Sequence, residues 1–474
     1  MERAAVPRWT SNQRWTLLAM ASANFALALD FAGLNVALPD IGEDLGATTA
    51  GLEWINIAYL LTLTVFLVPA GRAADLWGRR RLCMGGLVVF TAGSVVSIVA
   101  GSPDGLALAR GVTGIGAAIL MATTLSLVGA AFPWDAGRGR AIGLWTAVGA
   151  IGSASGPLFA GVLTSVASWR WFFALAVPLA LVTLVIVGAG RVPESRGDDD
   201  GKGLDWVGTV LLTLGLGGVV LAFSLAPNDG WTATPPLAAI VVGAIGLVGL
   251  AVRERTTENP LIALGRFNNI GFVVSSTVAF IANVAFAAVM FFIALYLQDV
   301  YGLEAAETGA IFLALTASLV VLSPIAGRIS PRIGVDLVMG IGMSVLTASF
   351  LVFAVVGEQA GLALAIVGLL LSGAGQAFAF DGSNLGAINS VPEAAIGAAS
   401  GLINGIRQAG ALLGLAFTGS LFRHIAGNDP TDAQFVEGLR PTMLFVAFVC
   451  GCAAVLALAT RGRVDRGTPP GEID

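Results

Sequence analysis

The stretch Gly71-Arg72-Ala73-Ala74-Asp75-Leu76-Trp77-Gly78-Arg79-Arg80-Arg81 is a basic, glycine-bounded link between two apolar runs. Its outline returns later in the chain as Gly327-Arg328 with Gly334, again with seven positions from glycine to glycine. A second stretch repeats at nearly the same offset: Gly143-Leu144, Gly152, Gly156 and Gly161 reappear as Gly401-Leu402, Gly410, Gly414 and Gly419. The offset is about 256–258 residues, with a looser echo of Gly114 and Gly116 at Gly373 and Gly375. Chance matches two glycines among 62 readily, but not the same spacing in the same context twice. The chain reads as a duplicated unit.

What is duplicated follows from the composition. The chain has 474 residues, 56% hydrophobic and only 12% charged, with a mean hydropathy of +0.86. A soluble protein of this length needs far more polar surface. The apolar runs reach the roughly 20 residues that a helix needs to cross a bilayer, and they lack the short alternating pattern of barrel strands. The expected fold is all-α and polytopic. Fourteen spans are read, at 15–38, 51–70, 82–101, 105–130, 141–165, 170–190, 204–225, 235–252, 270–297, 305–326, 336–356, 361–389, 394–422 and 441–460. Breakers such as Ser102-Pro103-Asp104-Gly105 and Ala226-Pro227-Asn228-Asp229-Gly230 fall between them.

Loop charges test the count. Arg3, Arg8, Arg14, Arg72, Arg79, Arg80, Arg81, Arg138, Arg140, Arg191, Arg196, Lys202, Arg253, Arg255, Arg266, Arg328, Arg332, Arg461, Arg463 and Arg466 all fall on one side. The alternate loops hold Asp40, Glu43, Asp44, Asp104, Asp229, Asp299, Glu304, Glu307 and Glu358. The positive-inside rule then puts both termini in the cytoplasm, which requires an even helix number. A cleaved leader over the first apolar run is set aside, because the run continues past Ala26-Leu27-Ala28. Lys202 is the sole Lys, an Arg bias that points to a GC-rich bacterial genome, and the location expected for such a polytopic chain is the bacterial inner membrane.

The organisation expected is a six-helix bundle over 1–191, then a linker with two inserted helices and a loop over 192–269. A second six-helix bundle covers 270–463 and a tail 464–474. Internal repeats with a site between them are how many secondary transporters are built, whereas a channel, receptor or membrane enzyme predicts no such duplication. Cys83, Cys450 and Cys452 lie in or at the edge of apolar segments and His424 stands alone, so neither a disulfide framework nor a zinc site is indicated. No Gly-x-x-x-x-Gly-Lys-Ser/Thr loop is present to cradle ATP phosphates.

Two features carry chemistry. Asp30 sits inside the first apolar segment, in Leu29-Asp30-Phe31-Ala32-Gly33-Leu34-Asn35-Val36-Ala37-Leu38-Pro39. A charge at bilayer depth is costly and by default marks ion or proton handling. In residues 71–81 the glycines allow a sharp reversal, and Asp75 can meet a helix N-terminus or pair with an Arg in one conformation only. The bland readings are a static ion pair for Asp30 and a topogenic anchor for the arginines.

These motifs resemble those of the major facilitator superfamily, and the resemblance covers nearly the whole chain. The link from Gly71 to Arg81 is similar to that family's signature loop between helices 2 and 3. Leu106-Ala107-Leu108-Ala109-Arg110-Gly111-Val112-Thr113-Gly114-Ile115-Gly116 resembles its helix-4 motif with an intramembrane Arg. Gly149-Ala150-Ile151-Gly152-Ser153-Ala154-Ser155-Gly156-Pro157-Leu158-Phe159-Ala160-Gly161 resembles the helix-5 motif of antiporters. Asp30 through Pro39, with Trp54 and Tyr59 in helix 2, is similar to the fourteen-helix drug:proton antiporter branch. One departure is Ala32, where that branch commonly has Thr. The resemblance implies a major facilitator fold, two six-helix bundles plus two inserted helices, and a multidrug efflux transporter rather than an enzyme. It implies a switch loop of Gly71, Arg72, Asp75, Gly78, Arg79 and Arg80, and an antiporter motif of Gly152, Gly156, Pro157 and Gly161.

The residues themselves point the same way. Asp30 lies about 15 residues into helix 1, or roughly 22 Å at 1.5 Å per residue. Arg110 is about 8 Å from the other face of a roughly 30 Å core, which puts both at matching depth. Burial favours the neutral acid and an adjacent guanidinium favours the carboxylate. Moving Arg110 relative to Asp30 would therefore load or release a proton. Gly152, Gly156 and Gly161 make a small-residue face for close helix packing, and Pro157 perturbs the backbone there. Asn35, Trp54, Tyr59, Asp381, Asn404, Arg407 and Gln408 are candidates for a cavity, with Asp381 a possible partner for Arg407. Phe25, Phe31, Phe286, Phe291, Phe292 and Tyr296 are candidates for aromatic lining.

The expected function is a proton-coupled exporter of amphipathic, drug-like molecules, with the proton gradient in place of a cofactor. Its partners would be protons, substrate and lipid, without nucleic acid, and the chain would act as a monomer. The rival on the same fold is an uptake symporter or facilitator, with a membrane enzyme or a non-transporting sensor as the more distant alternatives.

Overall fold

The computed structural model describes residues 9–132, 136–196, 203–257, 269–356, 361–391 and 396–461. Arg3, Arg8, Lys202, Arg266, Glu358, Arg463, Arg466, part of the 192–269 linker and the 464–474 tail lie outside the described residues. Among those described, 14 helices are long and apolar enough to cross a membrane. They are α1 (Ser11–Leu45), α2 (Thr49–Trp77), α3 (Arg79–Ile98), α4 (Pro103–Ala131), α5 (Ala136–Val166), α6 (Arg170–Gly188) and α7 (Trp206–Asp229). There follow α8 (Thr234–Thr256), α9 (Ile270–Ala288), α10 (Ala305–Ile333), α11 (Val335–Ala354), α12 (Gly361–Asn389), α13 (Ile396–Ala426) and α14 (Asp432–Ala459).

Local chemistry sets the starts. Thr10, Thr48, Ser102 and Asn269 each accept a hydrogen bond from a backbone N–H in the first turn, satisfying donors that the helix leaves orphaned. Several helices run longer than their apolar cores. α1 continues through Pro39, α7 through Pro227, and α14 starts before Pro441. Hydropathy marks the bilayer interior, whereas a helix keeps its backbone paired beyond it, and neighbours tolerate an embedded proline.

The link at 71–81 is shorter than expected. α2 runs through Trp77 and α3 begins at Arg79, so Gly71 is helical and Gly78 alone makes the turn. Its φ of 104° is open to glycine and strained for other residues, and Gly334 repeats it at 91°. A further difference lies after α9, which continues as π-helical turns at Val289–Ile293 and Tyr296–Val300. Such wider turns carry no signal in apolar periodicity.

The helices pack as two six-helix bundles, α1–α6 and α9–α14, and the duplication extends to single bonds. Thr62 Oγ1 donates to the Gly111 carbonyl (2.8 Å), and Ser318 Oγ donates to the Leu370 carbonyl (3.0 Å). Gly152 and Gly156 press α5 onto α1, as Gly410 and Gly414 press α13 onto α9. The looser echo of Gly114 and Gly116 is structural too. Gly116 packs on the backbone of Phe90, and Gly375 on that of Leu346. The inserted pair α7 and α8 meets through Gly218 against Gly243 and Gly246 against Gly215, and α7 also touches α2 and α13.

One end of the molecule carries the Gly78 turn and the arginines after it, and is called the basic face here. The opposite, acidic face carries a cavity of about 750 Å³ lined by Asp40, Glu43, Asp299, Glu304, Asp429 and Asp432.

Candidate functional site

Asp30 and Arg110 meet in the centre of the first bundle. Arg110 Nη1 lies 2.8 Å from Asp30 Oδ1 and 2.9 Å from Oδ2, and each side chain is 1% exposed. α1 supplies the carboxylate and α4 the guanidinium. Tyr59 of α2 lies 4.3 Å under the guanidinium, and the Phe173 ring of α6 is 5.6 Å away. These aromatic faces favour a cation electrostatically. Arg110 Nε is buried without a hydrogen-bond partner. The pair is thus held by four helices, yet its hydrogen bonding is incomplete. Two charges taken from water gain little net stability over apolar residues of the same shape, so the pair is not explained by fold stability alone.

The helix-5 glycines bring α5 onto the segment bearing Asp30. A Cβ at Gly152 would sit 2.6 Å from the Phe25 carbonyl oxygen, and one at Gly156 would sit 2.8 Å from that of Leu29. Only a residue without a side chain permits this approach. Pro157 and Gly161 face elsewhere. The Pro157 carbonyl packs on Gly309 and Gly161 packs on Ala305, both in α10 of the other bundle. One motif thus serves two contacts, the first within a bundle and the second across the seam.

Around the pair, Asn56 Nδ2 donates to Asn35 Oδ1 (3.1 Å), joining α2 to α1. Trp54 Nε1 donates to Ser224 Oγ of α7 (2.7 Å) and so faces the inserted helices. Phe31 stacks on Phe286 across the bundles, with centroids 6.2 Å apart and planes 8° apart. Phe25, Phe31 and Phe286 are half-buried, whereas Phe291, Phe292 and Tyr296 are fully buried. The last three pack the interior and line no cavity. Phe292, for example, lies 5.1 Å from the Phe422 ring.

In the second bundle Asp381 and Arg407 are near enough to feel each other's charge but form no direct hydrogen bond. Asp381 Oδ2 accepts from Ser323 Oγ of α10. Arg407 donates to Ser383 Oγ (3.3 Å), Asn384 Oδ1 (3.2 Å) and Asn404 Oδ1 (3.2 Å), and stacks on Phe380 at 4.0 Å. Hydroxyl and amide acceptors serve the cation, where a carboxylate was one possible partner. Gln408 Nε2 reaches Met121 Sδ of α4 at 3.8 Å, a contact between the bundles.

At the basic face, Asp75 Oδ1 accepts from Arg79 Nη2 (2.9 Å) and Nε (3.1 Å), one helical turn away across Gly78. Glu194, which the sequence reading passed over, accepts from the backbone N–H of Arg80 (2.9 Å) and caps α3. Arg80 in turn donates to the Val187 and Gly188 carbonyls at the end of α6. Arg72 sits within α2, before the turn at Gly78.

The bundles are joined toward the acidic face. The Ala306 N–H donates to Ser165 Oγ (3.1 Å), Gln298 Nε2 donates to the Val36 carbonyl (2.8 Å), and the Thr49 N–H donates to the Asn428 carbonyl (3.2 Å). A second buried ion pair closes this seam: Arg423 Nη2 of α13 and Glu53 Oε2 of α2, 3.2 Å apart and each 1% exposed. Neither member stands out in the hydropathy pattern. The available signal was that Arg423 departs from the side on which 20 of the 25 basic residues fall.

Comparison with known proteins agrees with this architecture. The family model of the Major Facilitator Superfamily matches residues 20–415 and 276–473. The multidrug resistance protein Stp of Mycobacterium tuberculosis is 34% identical over 413 residues, covering 86% of this chain and 76% of that protein. The tetracenomycin C resistance and export protein of Streptomyces glaucescens is 29% identical over 413 residues, covering 87% and 76%. In fold, the chain is similar to the crystal structure of a bacterial homologue of the human lysosomal transporter Spinster, inward-facing and unoccupied. That match has a TM-score of 0.69 at 18% identity and covers 99% of this chain and 100% of that one. The chain belongs to the Major Facilitator Superfamily and is a multi-pass membrane transporter, not an enzyme.

Proposed function

We propose that this member of the superfamily is a proton-coupled antiporter that exports amphipathic, drug-like molecules across a bacterial cytoplasmic membrane. The basic face and both termini lie in the cytoplasm, the acidic face lies outside, and one chain suffices because it holds both bundles. Relatives named for multidrug resistance and for tetracenomycin C resistance and export support the substrate class and direction. The loop charges support the orientation.

The observation that carries the coupling is the buried pair of Asp30 and Arg110. With the outer seam closed, Arg110 holds Asp30 as a carboxylate, and substrate approaches from the cytoplasm. Substrate enters beside Tyr59, Phe31 and Phe286. The bundles then rock, and Pro157 and Gly161 part from α10 on the outer side. Arg110 draws away from Asp30, which takes one proton from outside as substrate leaves. Return of the proton-loaded form brings Arg110 back, and the proton is released to the cytoplasm. The tight α1–α5 contact keeps Asp30 in place while Asp75 and Arg79 clamp the Gly78 turn on the inner side.

In everted vesicles given an imposed pH gradient, the wild type is expected to accumulate ethidium. Asp30→Asn, at equal membrane abundance, should lose this gradient-driven uptake while still equilibrating the dye. Uphill accumulation by Asp30→Asn at the wild-type level would end the reading.

A further inference from the structure

The Glu53–Arg423 pair has no part in the cycle above. It joins α2 to α13, and so crosses between bundles close to the acidic face. Its counterpart in the repeat is the α10–α5 seam, where Gly309 stands at the place of Glu53 and Ser165 at that of Arg423. There the seam is closed by backbone packing of Gly309 on Pro157 and by one bond to Ser165. The molecule therefore shows that this seam closes without charges. A buried ion pair adds little stability over such packing, but breaking it by neutralising one member is costly to the closed form.

Three details give that cost a use. First, Glu53 Oε1 is buried without a hydrogen-bond partner, which leaves an oxygen free to carry a proton. Second, Arg423 has other acceptors: Nη1 donates to the Ser224 carbonyl of α7 (3.3 Å) and Nε to the Gly419 carbonyl (3.4 Å). The guanidinium stays hydrogen-bonded when Glu53 is neutral. Third, the acidic cavity reaches the first turn of α2, where Thr49 and Leu52 line it beside Asp40, Asp299 and Asp432. Carboxylates at its wall raise the local proton concentration next to Glu53. The groups facing Glu53 are few. α13 presents Arg423 and the bare backbone of Gly419, and α7 presents the neutral Ser224, which also accepts from Trp54.

We propose that Glu53 is a second proton-binding carboxylate, and that its protonation from the acidic cavity opens the outer seam. The proton adds to the carboxylate, the ion pair is lost, and Arg423 keeps the carbonyls of Gly419 and Ser224. α2 then parts from α13 and gives up the Trp54–Ser224 bond, while α7 stays with α13 through the Ser224 carbonyl. The proposal rests on the alternating-access reading above, but not on Asp30 as the coupling site.

Spin labels at Thr48→Cys, at the N-cap of α2, and His424→Cys on α13, both exposed, report the seam in liposomes when Cys452 is replaced by Ser. Pulsed electron–electron distance measurements in the wild type should show the open population rising as pH falls from about 8 to about 5. Glu53→Gln should raise the open population about tenfold at the high-pH end and remove its pH dependence. Asp30→Asn should keep the wild-type pH response even though it loses antiport. The proposal is overturned if the distance in the labelled protein with Glu53 intact ignores pH, a result that does not depend on any Glu53 variant folding. It is equally overturned if Glu53→Gln follows the wild-type curve, or if Asp30→Asn and not Glu53→Gln abolishes it.

Discussion

The two six-helix bundles share a scaffold down to single hydrogen bonds, and they part company at their centres. Thr62 bonds the Gly111 carbonyl in the first, and Ser318 bonds the Leu370 carbonyl in the second. The residue before Gly111 is Arg110, whereas the residue before Leu370 is Leu369. Gly156 packs on Leu29, and Gly414 packs on Val284. The next residues in those helices are Asp30 and Ala285. All four of these central residues are buried, as an ion pair in one bundle and as aliphatic groups in the other. The same backbone arrangement is thus satisfied by Ala and Leu. What small residues build is common to both halves, and on the proposed reading the charge in one of them serves the proton rather than the fold.

The largest effect should separate Arg110 from Leu369. Arg110→Ala leaves Asp30 buried without its cation, a loss of about 3–5 kcal/mol. Transport that remains should no longer depend on the pH gradient. Leu369→Ala opens a cavity and costs about 2–5 kcal/mol, yet gradient-driven transport should persist. Thermal unfolding in detergent together with vesicle uptake at two imposed gradients distinguishes them. If both variants lose gradient dependence alike, the two centres do not differ in function.

A smaller effect should come from the glycines. Gly156→Val and Gly414→Val each push two helices apart and should cost about 1–3 kcal/mol by overpacking. Only Gly156→Val displaces α1, so only that variant should shift the pH at which uptake is half-maximal. Equal shifts from both would mean that α1 holds no special group.

Much of this contrast was legible in the sequence, because a charge inside an apolar run stands out. Asp30 and Arg110 could be matched in depth simply by counting residues from opposite faces. The helix number and the repeat followed from hydropathy and glycine spacing. The partners of Arg407 were not legible, because serine and asparagine side chains satisfy a cation without leaving a charge to find. Glu53 escaped notice because it lies one turn into α2, where a carboxylate resembles an ordinary loop charge. The extent of α2 through Gly71 to Trp77 was hidden by a glycine that looks like a breaker in the chain and is a helical residue in the fold. Glu194 lies far from Arg80 in sequence, and only packing brings them together.

The central claim is that Asp30 exchanges a proton for substrate. Its most direct test is the pH change of a weakly buffered solution of the detergent-solubilised protein on addition of ethidium. The wild type should release protons in proportion to substrate bound, and Asp30→Asn should bind ethidium with no release. Proton release from Asp30→Asn equal to that of the wild type would contradict the account.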